Sequence, residues 1–250
     1  MSTGEHTGHP INVANLEELY GFLVNMGALY DPVNQRIKLP AIEIMIGLAN
    51  GKLQVVKDTN GVYKRGTNDR ELEFEDIKKL STRLVNALIA CGATKLTVAD
   101  AKTYNRKIQG GRAAEKISPI VPTTEVELTE DEKIAKNISV SQQNFDFVID
   151  NFIKLVTLLI NEPLYLPNEV ALQTATLEAK IVRMQAKNKA VKDVTPAYVS
   201  AMSDRNVFLY KSETGLVDTS KVIKAYALSV LETSSEVYIR INSIHFKNFK

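Results

Sequence analysis

Two Asp-Arg dipeptides, Asp69-Arg70 and Asp204-Arg205, are the polar residues of this chain whose repetition at one spacing invites a chemical reading. An arginine guanidinium is a planar donor fork that grips a carboxylate or phosphate through two parallel hydrogen bonds. Tyr63 and Tyr198 fall seven residues before these arginines, about two helical turns, so a tyrosine and a guanidinium would line one groove in each case. These six residues are the candidate binding site. An arginine that bridges helices uses the same fork with no ligand, and both readings stay open.

Other chemistry is sparse. His6, His9 and His245 are the three histidines, and His6 and His9 have the H-x-x-H spacing of metal ligands without a helix to present them. There is no HExxH, GxSxG, CxxC, Walker A or dinucleotide fingerprint. Gly110-Gly111-Arg112 could cradle a phosphate but does not sit between a strand and a helix. A di-metal bundle needs Glu-x-x-His, which is missing, and Glu43 and Glu178 read as solvated flanks. Cys91, the single cysteine, lies in the apolar stretch LVNALIAC and reads as a buried, inert thiol. No cofactor, metal or catalytic group is expected.

Lysine and arginine total 31 against 29 aspartate and glutamate, a net charge of +2 that excludes a domain-wide field for nucleic acid. Short basic clusters with aromatics, KTYNRK and KNFK, keep nucleic-acid or anionic-ligand binding as the alternative. The 44% hydrophobic and 24% charged residues are the balance of a soluble globular protein. MSTGEHTGHP lacks the pattern of a signal peptide, and no uninterrupted apolar run approaches the roughly 18 residues of a membrane span, so a cytoplasmic location is expected.

The elements that must position the candidate residues repeat with them. At a shift of 135 residues, Leu29, Tyr30, Pro32, Glu43, Ile46, Lys52, Val56, Lys57, Asp58, Tyr63, Asp69 and Arg70 recur as Leu164, Tyr165, Pro167, Glu178, Ile181, Lys187, Val191, Lys192, Asp193, Tyr198, Asp204 and Arg205. That is roughly five times the match expected of unrelated stretches. Leu39, Ile42, Ile46, Ala49, Leu53 and Val56 make a helical stripe, matched by Thr174, Leu177, Ile181, Met184, Asn188 and Val191. Asn188 is the polar residue on that stripe, either a register device or a hydrated position.

Polar turns are expected at Asp58–Gly61 and Asp193–Pro196, each followed by a further helix, the first closed by Gly92. Terminal helices are expected from Thr97 and from Ser234 or Ser235, with a strand over VYIRINSI as the alternative. The expected fold is all-α: a flexible tail over 1–12, a first antiparallel helical bundle over 13–108, a linker or protruding loop over 109–130 and a homologous second bundle over 131–250.

The segments LPNEVALQ, SDRNVFLYKSETGLVDTSKVIKAYALSVL and SSEVYIRINSIHFKN resemble a group of helical bacterial proteins of the Bacteroidota type. The features are Leu166 to Gln173, Arg205-Asn206, Leu209-Tyr210, Thr214 to Asp218, Ile223 to Tyr226 and His245 to Lys247, within about the last 90 residues. The resemblance implies a helical fold and a bacterial source, and carries no activity or site residue. The first copy lacks the Thr-Gly-Leu-Val-Asp turn. The functional expectation is a non-enzymatic interaction or scaffold protein that binds a protein partner or itself.

Overall fold

Thr94 and Ser235 accept hydrogen bonds from the backbone N–H groups of Thr97 and Tyr238, and each opens a helix. A hydroxyl there satisfies a donor that the helix start leaves unpaired. The computed structural model describes residues 8–110 and 130–249. It is all-helical, with no strand among the described residues: α1 His9–Met26, α2 Leu39–Phe74, α3 Ile77–Ala90, α4 Lys95–Ile108, α5 Glu130–Ile160, α6 Thr174–Tyr210, α7 Leu216–Ser229 and α8 Glu236–Ser243. VYIRINSI is thus helical through Ser243. The helix expected from Thr97 begins at Lys95, because Thr94 is the cap and Thr97 supplies the donor. Past Ala90, Gly92 at φ 84 ends α3 in the left-handed conformation expected of it.

The polar turns expected at Asp58–Gly61 and Asp193–Pro196 do not form, because α2 and α6 run through both. An interior glycine costs about 1 kcal/mol and an interior proline about 3 kcal/mol relative to alanine. Packing on both sides outweighs them: α2 buries Ile42 and Ala49 before the signal and Phe74 after it, and α6 buries Leu177 and Met184 before Pro196 and Leu209 and Tyr210 after it. Each such large side chain contributes about 1.5–3 kcal/mol.

The two signals mark where the chain passes between compact units. Unit 1 is Met1–Gly61 with Ala197–Lys250, and unit 2 is Val62–Pro196. The expected bundle limits, 13–108 and 131–250, therefore do not delimit the compact units. The reason is length: at 1.5 Å per residue α2 and α6 are each roughly 55 Å long, against about 30 Å for a small domain, so one core cannot hold a whole helix. Residues 111–129 of the expected linker lie outside the described residues.

Unit 1 gathers Leu16, Leu19 and Leu23 of α1, Ile42 and Ala49 of α2, Leu209 of α6, Ile223 and Ala227 of α7 and Ile241 of α8 into one core. Unit 2 packs Leu80, Leu84 and Leu88 of α3, Ala101 and Ile108 of α4, Phe152, Leu155 and Leu159 of α5 and Leu177 and Met184 of α6. Within unit 2, α2 packs on α6 at Gly66, where a Cβ would make ordinary contact with Val191, 3.6 Å from its Cγ2.

The expected tail over 1–12 is shorter than that, since α1 starts at His9 with Pro10 in its first turn, where a missing N–H costs nothing. Asn12, only 1% exposed, donates through Nδ2 to the Lys247 carbonyl at 2.7 Å and accepts from the Lys247 N–H at 3.0 Å. Asn12→Ala removes both bonds. Denaturant titration should show a loss of about 2 kcal/mol, at about 1 kcal/mol per bond, and the Lys247 amide should exchange hydrogen faster.

Candidate functional site

Burial decides what the Asp-Arg pairs can do. Arg70 is 1% exposed and Arg205 7%. Arg70 Nη1 donates to Asn188 Oδ1 at 3.1 Å, and its Cζ stands 3.9 Å from the centre of the Phe145 ring. Asn188 in turn donates to Asp146 Oδ1 at 2.7 Å, and Lys192 Nζ reaches both Asp146 oxygens at 2.8 and 2.7 Å. Burial pushes the Arg70 guanidinium below its usual pKa, while Tyr63, Glu71 and Asp146 support its charge. Asn188, 3% exposed, is therefore a bonded core residue and not a hydrated one.

The partners of these arginines stay outside the core. Asp69 pairs with Lys187 at 2.8 Å in unit 2, and Asp204 pairs with Lys52 at 3.6 Å in unit 1. Arg205 Nε and Nη2 both donate to Asn206 Oδ1, at 3.1 and 2.8 Å. Tyr198 is 8% exposed and Tyr63 half-buried. The structure thus brings each arginine into a core and each aspartate onto a lysine, so neither dipeptide offers a guanidinium fork to solvent.

A different face is open. On the first half of α2, Ile44 is 64% exposed, Leu48 54% and Val55 49%. At 100° per residue these three and Gly51 lie within about 60° of arc, a seam of the kind that packs on another helix. Side chains placed at Gly47 or Gly51 would meet nothing within 4 Å. One 18-residue window within Leu39–Ala90 has a mean hydropathy of 1.2 and is 11% buried, which meets the length and composition of a membrane-crossing helix. Comparisons with protein-family models, curated proteins and solved structures find no match.

Unit 2 also carries a groove of about 580 Å³ between α3 and the segment 165–172. Arg83, Asn86 and Ala87 line it from α3, and Tyr165, Asn168 and Glu169 from the loop. Cys91 lines it too and is half-buried, its Sγ directed at the Leu88 carbonyl at 3.0 Å, which corrects the fully buried thiol expected above. Tyr165 holds the loop through its hydroxyl, which donates to the Leu172 carbonyl at 3.0 Å. Burial, then the Cys91 thiol and the Glu169 carboxylate, pushes its phenol up to about 12. In unit 1 the Tyr30 hydroxyl donates to the Ile37 carbonyl at 2.6 Å, and its phenol is also pushed up, by burial and then Tyr226. Among the described residues no three His, Cys, Asp or Glu side chains stand close enough to share a metal ion.

The outer stripe and the groove were both missed by a sequence reading that followed one apolar stripe per helix. Ile44, Leu48 and Val55 form a second stripe on α2, and that signal is present in the spacing. The groove carries no such signal, because it forms where the loop 165–172 lies on α3, far from it in sequence.

Proposed function

We propose that this protein is a non-enzymatic interaction protein that associates with a second copy of itself through the outward face of α2 in unit 1. The observation that carries the reading is the exposed stripe Ile44, Leu48 and Val55 beside Gly47 and Gly51. Large side chains next to residues without a Cβ make a surface complementary to its own copy, as a two-fold interface requires. An exposed apolar face of this kind on a helix marks a binding surface.

The two-copy reading of the chain belongs to the same proposal. Lys52–Asp204 and Lys187–Asp69 are one pair made reciprocally by two copies related by 135 residues. Tyr30 and Tyr165 each bond the carbonyl seven residues on. Each unit is then a helical bundle completed by both copies, which have exchanged the second halves of their long helices. The copies differ at the stripe: Ile44, Leu48, Gly51 and Val55 match Ala179, Arg183, Ala186 and Ala190, so only the first offers an apolar surface. The anionic-ligand reading loses support because Arg70 and Arg205 are buried.

Light scattering at micromolar concentration should find a dimer or larger oligomer, and Leu48→Glu should reduce it to a monomer of unchanged helicity. A native monomer, or a stripe that takes the chain onto lipid vesicles instead, overturns self-association.

A further inference from the structure

We propose that a hollow in unit 2, between the first turns of α3 and α6, binds a phosphate group held by Lys79, Arg83 and Arg183. The hollow measures about 350 Å³, within the range of small-molecule sites. Lys79 and Arg83 line it from α3, and Lys180 and Arg183 from α6. Its apolar lining includes Leu80 and Leu177, 7% and 0% exposed. None of these residues belongs to the Asp-Arg pairs, and the inference is independent of self-association.

Four cations share this lining with one carboxylate, that of Asp76. Lys180 is buried and its ammonium is fully engaged: Nζ donates to the Glu73 carbonyl at 3.0 Å and pairs with Asp76 Oδ1 at 2.7 Å and Glu73 Oε1 at 3.5 Å. It is a positioning residue that fixes α6 against the end of α2 and the cap of α3. Arg183 commits only its Nε, to Glu73 Oε1 at 3.2 Å, which leaves both Nη groups for a ligand. Lys79 and Arg83 are exposed and make no hydrogen bond or ion pair among the described residues.

The charge arrangement selects the ligand. Lys79 and Arg83 stand four residues apart on one face of α3, a spacing at which like charges repel. An anion in the hollow offsets that repulsion. With Glu73 counted beside Asp76, four cations less two carboxylates leave two positive charges, which match a phosphate dianion. Buried leucines at its wall make the attraction stronger than it is in open water. The guanidinium groups offer planar forks to phosphate oxygens, and the lysine a point charge. Because α3 and α6 both begin here, at Ile77 and Thr174, the positive ends of their dipoles add to the side-chain field. Arg83 also lines the groove beside residues 165–172, so a phosphate monoester held here has space for its organic part there.

Isothermal titration calorimetry of the full chain at low salt should detect inorganic phosphate binding in the millimolar range or tighter, and no such heat from sodium chloride at equal ionic strength. Lys79→Gln and Arg83→Gln remove exposed side chains without partners, so helicity should not change. Each should weaken phosphate binding about tenfold, the loss expected of a charge-assisted bond. Lys102→Gln, at an exposed lysine of α4, should leave it unchanged. Glycerol 3-phosphate separates the two sources of the group: tighter binding than inorganic phosphate assigns a monoester, and equal or weaker binding assigns the free ion. No phosphate heat, an equal response to chloride, or native affinity in both Lys79→Gln and Arg83→Gln overturns the site. The monomeric Leu48→Glu variant should bind phosphate as the native chain does, which separates this result from the fate of self-association.

Discussion

Arg70→Met is expected to lower the stability of unit 2 by about 3 kcal/mol, from a buried acceptor left unsatisfied at about 1–3 kcal/mol and a lost cation–π contact at about 1–2 kcal/mol. The substitution keeps much of the volume but deletes the guanidinium from the Phe145 ring and leaves Asn188 Oδ1 without its 3.1 Å donor. Leu53 stands 135 residues before Asn188, at the shift that aligns the two stripes in the sequence. The double variant Arg70→Met with Asn188→Leu should therefore recover about 1 kcal/mol or more of the loss, because replacing both partners by apolar groups removes the unsatisfied acceptor. Asp146 keeps Lys192 throughout. Denaturant midpoints of the single and double variants measure the coupling, and purely additive losses would show that Arg70 and Asn188 do not act as a unit. Asp69→Asn, by contrast, removes an exposed pair and should cost under about 1 kcal/mol.

Cutting the chain within residues 111–129 should leave the two fragments bound to each other, co-eluting with native helicity. Unit 1 needs α1 from the first fragment and α7 and α8 from the second, and unit 2 needs α3 and α4 from the first and α5 from the second. Neither fragment alone can cover the apolar faces it carries. Residues 1–110 or 130–250 expressed singly should be unfolded or paired with a further copy of themselves. Tandem bundles over 13–108 and 131–250 would give the opposite result, two folded monomers separable on a sizing column.

The helices were legible from sequence wherever a stripe of period 3.6 met a cap, as in the Ile77, Leu80, Leu84 and Leu88 stripe closed by Gly92. The partition of the chain was not. Asp58–Gly61 and Asp193–Pro196 carry the residues of turns, and only the tertiary anchors beyond them, Phe74 and Arg70 on α2 and Leu209 and Tyr210 on α6, keep the helices straight through. Such anchors act between residues far apart in the sequence, 118 positions for Arg70 and Asn188, which local propensity does not register. The Asp-Arg pairs were found by repetition, but repetition cannot tell a buried fork from an open one. The groove depends on how the loop 165–172 lies on α3, a placement that no local pattern registers.

The passage of α2 out of one unit and into the next also sets an order of events during synthesis. Unit 2 is one uninterrupted stretch, Val62–Pro196, and its core can close as soon as α6 has emerged to Pro196. Unit 1 is made of the first and last parts of the chain. Leu16, Leu19 and Leu23, fully buried in the finished protein, must wait on the nascent chain until α7 and α8 are made. At roughly 5–20 residues per second, the 54 residues from Ala197 to Lys250 hold that apolar face in water for about 3–10 s. Met1–Gly61 therefore completes its packing only after Val62–Pro196 has been able to close.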